Sequence, residues 1–179
     1  MYKLNFTSPQ YVPIGRNCST AFSLLNTGYR KCAFPFDWLV IPIESCIKLI
    51  RNEFNDFLEL ENLIVLPKTN RKLFKENING EYSIYDIVTP IICKKYKILF
   101  SHDFSSKGIN ELPKVQEKYQ RRIKRLLQKR KKNENLIYVF DEAKLKKWQQ
   151  EQYELAGIEF TDIDINMFNK RNLASEFNI

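Results

Sequence analysis

One histidine, His102, among 179 residues is the scarcest chemical resource of this chain. The four cysteines (Cys18, Cys32, Cys46 and Cys93) stand at no zinc-like spacing. With that spacing, one histidine does not build a typical Cys/His site, so no metal and no other cofactor is expected. Neither a G-x-x-x-x-G-K-[ST] loop nor a G-x-G-x-x-G turn is present, and nucleotide-dependent chemistry has no positive sign. Helix-turn-helix, zinc-finger and single-strand-binding signatures are also missing. No stretch approaches eighteen consecutive apolar residues, and the N-terminus lacks a charged-then-apolar signal pattern. The expectation is a soluble, cytoplasmic protein with free thiols. Only five glycines occur, a compositional bias that carries no mechanism. No internal repeat or linker divides the chain, so residues 1–179 are expected to form one domain. Residues 166–179 are a polar, weakly patterned tail that frays or packs as a short terminal helix.

What is present is ordinary in bulk and uneven in detail. Hydrophobic residues make up 44% and charged residues 28%, too apolar for a disordered chain. The net charge of +8 has a local source. Residues 114–132 hold ten basic side chains against one acid, Glu117, so that segment alone is +9 and the remainder sums to −1. Within it, Val115, Tyr119, Ile123, Leu126 and Leu127 recur at helical spacing, which predicts a helix with a buried stripe and basic outer faces. Pro113 suits its first turn, with Asn110 as a nearby cap.

Elsewhere the pattern predicts a strand over Tyr11–Ile14 and a glycine turn at Gly15. A helix follows from Cys18 to about Thr27, capped by Arg16 or Asn17 and stopped by a left-handed Gly28. Residues 43–58 read as one amphipathic helix, Leu63–Leu66 as a strand, and residues 67–81 as a polar surface loop or lid. Tyr82–Val88 alternates loosely. Tyr96–Ser101 is a strand ending at His102, and Leu136–Phe140 a short buried strand ending at Asp141. A helix with Leu145, Trp148, Gln152 and Leu155 on one face stops at Gly157, and Ile158–Phe160 begins another strand. Strand–helix–strand alternation from residue 97 onward implies βαβ units. The expected fold is α/β, a single layered domain with a central mixed, partly parallel sheet flanked by helices, the alternative being an α+β papain-like fold.

The chemistry concentrates at two places. Cys18 lies at the mouth of a predicted helix, where free N–H groups and the macrodipole favour a thiolate. Any Cys–His chemistry within the chain must use His102, at a strand end where sites assemble in layered folds. Cys46 and Cys93 sit in apolar surroundings and read as core. Asp37, in Phe34-Pro-Phe-Asp-Trp38, is a carboxylate inside an apolar block, and needs a partner or its pKa rises.

Taken in order, Gly15-Arg-Asn-Cys-Ser19, Gly28-Tyr-Arg30, Phe34-Pro-Phe-Asp-Trp38, His102-Asp-Phe104 and Tyr119-Gln-Arg-Arg-Ile123 resemble the papain-like cysteine peptidase family, a domain of unknown function in bacteria and some large viruses. The resemblance spans roughly residues 10–160. It implies a catalytic pair that maps onto Cys18 and His102, and an Asn or Asp that orients the imidazole. Three carboxylates compete for that role. Asp103 is the sequence neighbour but faces the opposite side of a continuing strand. Asp141 is favoured if its strand adjoins that of His102, and Asp37 is the next choice. Arg16, Asn17 and Ser19 flank the nucleophile, and Asn17 or the Cys18 N–H would serve an oxyanion hole.

The leading expectation is therefore a cysteine-dependent hydrolase or acyl transferase acting on a peptide or other acyl substrate. Two alternatives stay open. One is a non-catalytic basic module contacting nucleic acid or anionic lipid through residues such as Arg121, Arg122, Lys124 and Arg125. The other is a group transferase on a Rossmann-like scaffold.

Overall fold

In chain order the elements are β1 (Gln10–Gly15), α1 (Ser19–Asn26), β2 (Leu39–Val40), α2 (Ile43–Arg51), β3 (Leu63–Val65), β4 (Thr69–Asn77), β5 (Gly80–Val88), β6 (Ile91–Cys93), β7 (Ile98–Phe100), α3 (Leu112–Lys131), β8 (Leu136–Asp141) and α4 (Lys147–Leu155). The computed structural model describes residues 8–15, 18–77, 80–141 and 144–160. The fold is α/β with a mixed, partly parallel arrangement of strands.

Two apolar triplets, Ile91-Ile-Cys93 and Ile98-Leu-Phe100, organise the layers. They pair antiparallel as β6 and β7 in a four-stranded sheet of order β2-β7-β6-β3. Side chains alternate across a strand. Leu39, Ile91, Cys93, Ile98 and Phe100 accordingly pack with buried residues of α2 and α3. Val40, Ile92 and Leu99 pack on the other face with Tyr153 of α4. Both faces are covered, which is why these strands are apolar without interruption. The Tyr153 hydroxyl donates to the Lys97 carbonyl at 2.8 Å and pins α4 to the strand that leads to His102.

Parallel pairing is present, but not between sequential strands. β1 pairs parallel with β8, in a register from Gln10 opposite Leu136 to Gly15 opposite Asp141. β7 and β8, read as one βαβ unit around α3, lie in different sheets. The Ile41 N–H donates to the Gly15 carbonyl at 3.2 Å, which brings the end of β1 against the exit of β2. β8 is half-buried rather than core, with Ile137 38% exposed.

Other expectations are corrected. The polar loop expected over 67–81 is strand at Thr69–Asn77 and from Gly80 onward, β4 pairing antiparallel with β5 from Thr69 opposite Val88 to Asn77 opposite Gly80. The helix over 43–58 ends at Arg51. Glu53 takes φ +54°, the Phe54 N–H reaches the Leu49 carbonyl at 2.8 Å, and the Glu53 N–H reaches Ile50 at 3.4 Å. This is a Schellman ending without glycine. Asn52 secures it, donating to the Tyr96 hydroxyl at 2.8 Å while its Oδ1 accepts from the Phe54 N–H at 3.2 Å. Apolar spacing persists through Phe57 and Leu58 because the turn also faces the core. No strand forms at Ile158–Phe160, and Leu155 is exposed. The N-cap of α3 is Glu111 rather than Asn110. Gly28 (φ +73°) and Gly157 (φ +65°) do stop α1 and α4. Residues 166–179 lie outside the described residues.

Candidate active site

Cys18 is the N-cap of α1, half-buried, with its carbonyl accepting from the Phe22 N–H at 3.1 Å. The cap thus falls on the cysteine itself; the expected caps, Arg16 and Asn17, lie outside the described residues. Ser19, the first helical residue, is exposed. Among the other thiols, burial pushes Cys32, Cys46 and Cys93 above the ordinary value. That keeps them protonated and weakly nucleophilic near neutral pH. Cys46 and Cys93 are fully buried, as core packing requires.

His102 leaves the end of β7 half-buried, in a segment held from both sides. Before it, Ser101 is buried; after it, Phe104 is fully buried in the core. The Ser105 N–H donates to Glu111 Oε2 at 2.6 Å, and the Ser105 carbonyl accepts from the Thr89 hydroxyl at 2.8 Å. Asp103 turns away toward α3, where it pairs with Lys118 and accepts from the Tyr119 hydroxyl at 3.0 Å. Burial and the adjacent Asp103 charge push the Tyr119 phenol well above its ordinary range. Tyr119 therefore acts as a neutral donor. Asp103, set aside above as an orienter of His102, anchors its loop instead.

Asp37 is completely buried. Its Oδ2 accepts from Arg30 Nε at 2.8 Å and lies 2.6 Å from Arg30 Nη2. Its Oδ1 is buried and makes no hydrogen bond among the described residues. Burial raises the Asp37 pKa although Arg30 opposes the shift. The next residue, Trp38, adopts φ +69°, a left-handed conformation that costs a bulky side chain about 1–2 kcal/mol. The Arg30 guanidinium stacks 5.7 Å above the Trp38 ring and helps to hold that geometry. Strain of this kind clusters at functional sites.

The sheet brings two of these blocks together. Antiparallel pairing of Leu39 with Phe100 and Val40 with Leu99 sets the segment before β2, with Asp37 and Trp38, beside the end of β7 from which His102 emerges. Asp141 belongs elsewhere. The condition that favoured it, a strand adjoining that of His102, is not met, because β8 adjoins β1 and Asp141 stands opposite Gly15. Arg30 entered the sequence reading only within the Gly28-Tyr-Arg30 motif and was given no role, although an arginine seven positions before the lone acid of an aromatic block was a usable signal.

The basic helix is largely tied down. Lys118 pairs with Asp103, Arg121 with Glu117 and Lys129 with Glu134, while Arg125 donates to the Ala33 carbonyl and Arg130 to the Tyr138 hydroxyl. Arg122 stacks 5.6 Å from the Tyr119 ring centroid, and its Nη1 is buried without a hydrogen-bond partner among the described residues. Lys124, Lys131 and Lys132 are exposed. No group of three or more His, Cys, Asp or Glu able to hold a metal ion occurs among the described residues. No helix among them is long and apolar enough to cross a membrane.

A family model described as "Putative papain-like cysteine peptidase (DUF1796)" matches residues 9–174. No curated protein and no solved structure is matched by the chain.

Proposed function

We propose, from the premise that this chain belongs to the papain-like cysteine peptidase family of that description, that it is a cysteine-dependent hydrolase or acyl transferase. The observation that carries the reading is the position of Cys18 as the cap of α1, where backbone N–H groups and the helix dipole favour a thiolate. Cys18 Sγ attacks the carbonyl carbon of an amide, ester or thioester while His102 takes the thiol proton. The tetrahedral oxyanion is held by the Cys18 N–H or by Asn17. Collapse breaks the bond to the leaving group, which receives the proton from His102 and leaves a thioester on Cys18. Water, deprotonated by His102, or another nucleophile then releases the acyl group. Asp37 takes the orienting role. It precedes the strand paired with that of His102, Arg30 offsets the cost of burying its charge, and its Oδ1 is the lone acceptor position left over.

Iodoacetamide labelling at pH 6 tests the pair, because only an activated thiol reacts quickly there. Cys18→Ala and His102→Ala are each expected to abolish the fast labelling, and Asp37→Asn to slow it. Undiminished labelling of Cys18 in the His102→Ala protein would overturn the reading.

A further inference from the structure

A groove of about 980 Å³ runs between the 50–58 segment and α3, and its lining includes neither Cys18 nor His102. Its size is at the upper end for ligand pockets. The helix wall carries two rows. Half-buried Ile123 and Leu127 form an apolar one that continues from the buried Tyr119, and Gln120, Lys124 and Gln128 a polar one beside it. Half-buried Phe57 faces them across the groove, backed by the buried Phe54 and Leu58. The floor is rigid: the Phe57 and Tyr119 rings pack edge-on at 5.2 Å, and Gln116 donates to the Leu58 carbonyl at 3.0 Å. Four cations, Arg51, Lys124, Arg130 and Lys131, line the groove against one acid, Glu53.

We propose that this groove binds an extended peptide in which apolar and acidic residues alternate. The spacing supports an extended occupant. Gln120, Lys124 and Gln128 are exposed, and their side chains make no hydrogen bond among the described residues. Positions four apart on a helix are about 6 Å apart along its axis. Every second residue of an extended chain recurs at about 6.6–6.8 Å, so successive rungs meet successive free peptide groups on one edge. A docked helix satisfies its own backbone and leaves those rungs empty. Side chains on one face of the peptide enter the apolar row; the alternate ones meet the cationic rim. From Gln116 to Lys131 the wall is about 22 Å long, which holds about seven extended residues.

The test uses the full chain carrying Cys18→Ala, so that binding is read without turnover and fails or succeeds independently of the catalytic reading. The probe is a fluorescein-labelled Leu-Glu-Leu-Glu-Leu-Glu-Leu peptide followed by anisotropy. Saturable binding is expected, at least tenfold tighter than for the peptide with lysine in place of glutamate, and weakening as salt is raised. Gln120→Ala with Gln128→Ala should cost fivefold or more in affinity at unchanged melting temperature, and Lys124→Glu with Lys131→Glu should erase the preference for acid. Absence of binding, equal binding of the two peptides, or tighter binding of a helical peptide of the same composition would overturn the proposal. So would binding to phosphatidylserine vesicles alone.

Discussion

The turns at residues 30–38 and 52–58 are built from similar parts and put them to different use. The first has one non-glycine residue at positive φ, Trp38, and the second four, Glu53, Phe54, Asp56 and Leu58; each holds an aspartate in an ion pair: Arg30–Asp37 at 2.6 Å and Lys95–Asp56 at 2.5 Å. The contact distances are nearly equal; the surroundings are not. Side-chain exposure is 7% and 0% in the first pair, 42% and 45% in the second. Water screens the outer pair and leaves it little to contribute. The inner pair was desolvated to reach its place, and each partner now depends on the other. The turn with the buried pair borders the strand end that carries His102, while the turn with the exposed pair forms one wall of the groove.

The largest test of this contrast is Arg30→Met, which strands the Asp37 charge. Chemical denaturation at pH 7 should show a loss of about 3–5 kcal/mol; a loss within about 0.5 kcal/mol would mean that water reaches Asp37 after all.

A smaller effect should appear in the pH dependence. Burial raises the Asp37 pKa above its ordinary value near 3.8, so over the window upward from there the folded state holds a proton that the unfolded chain has released. The stability this contributes is fully present below that ordinary value and is lost as pH rises through the raised one. Denaturation midpoints of the unmodified protein, compared with those of Asp37→Asn, should therefore improve as pH is lowered from 7 toward 4. A difference that is flat with pH would place Asp37 with the solvent-exposed acids.

Lys95→Ala should have the smallest effect, leaving the denaturation midpoint unchanged within error. A clear loss would show that the two turns are energetically alike.

Local signals carried much of this molecule. Gly28, Gly157 and Pro113 punctuate helices where the chain requires a left-handed residue or a missing N–H. The apolar run of β7 announced a buried strand, whereas β6 was not read as one, and Asp37 among aromatics announced a charge in need of a partner. What stayed hidden depends on partners distant in sequence. Thr69–Asn77 is polar enough to pass for a loop and becomes a strand by pairing with β5. Asp141 was judged from an assumed neighbour of β8, whereas the actual neighbour is β1, at the other end of the chain. Arg51 ends its helix although the apolar spacing runs on, because the side chain of Asn52 offers the backbone another set of bonds.

The pairing of β1 with β8 has a consequence for how the protein is made. β1 is synthesised long before its strand partner, which is completed only at Asp141. Until then β1 lacks its pairing partner, so the region of α1 capped by Cys18 acquires its final surroundings late and slowly, in the manner of topologies dominated by distant contacts. Fragments ending before Leu136 lack both the partner of β1 and the α4 cover over Val40, Ile92 and Leu99, and should be prone to self-association.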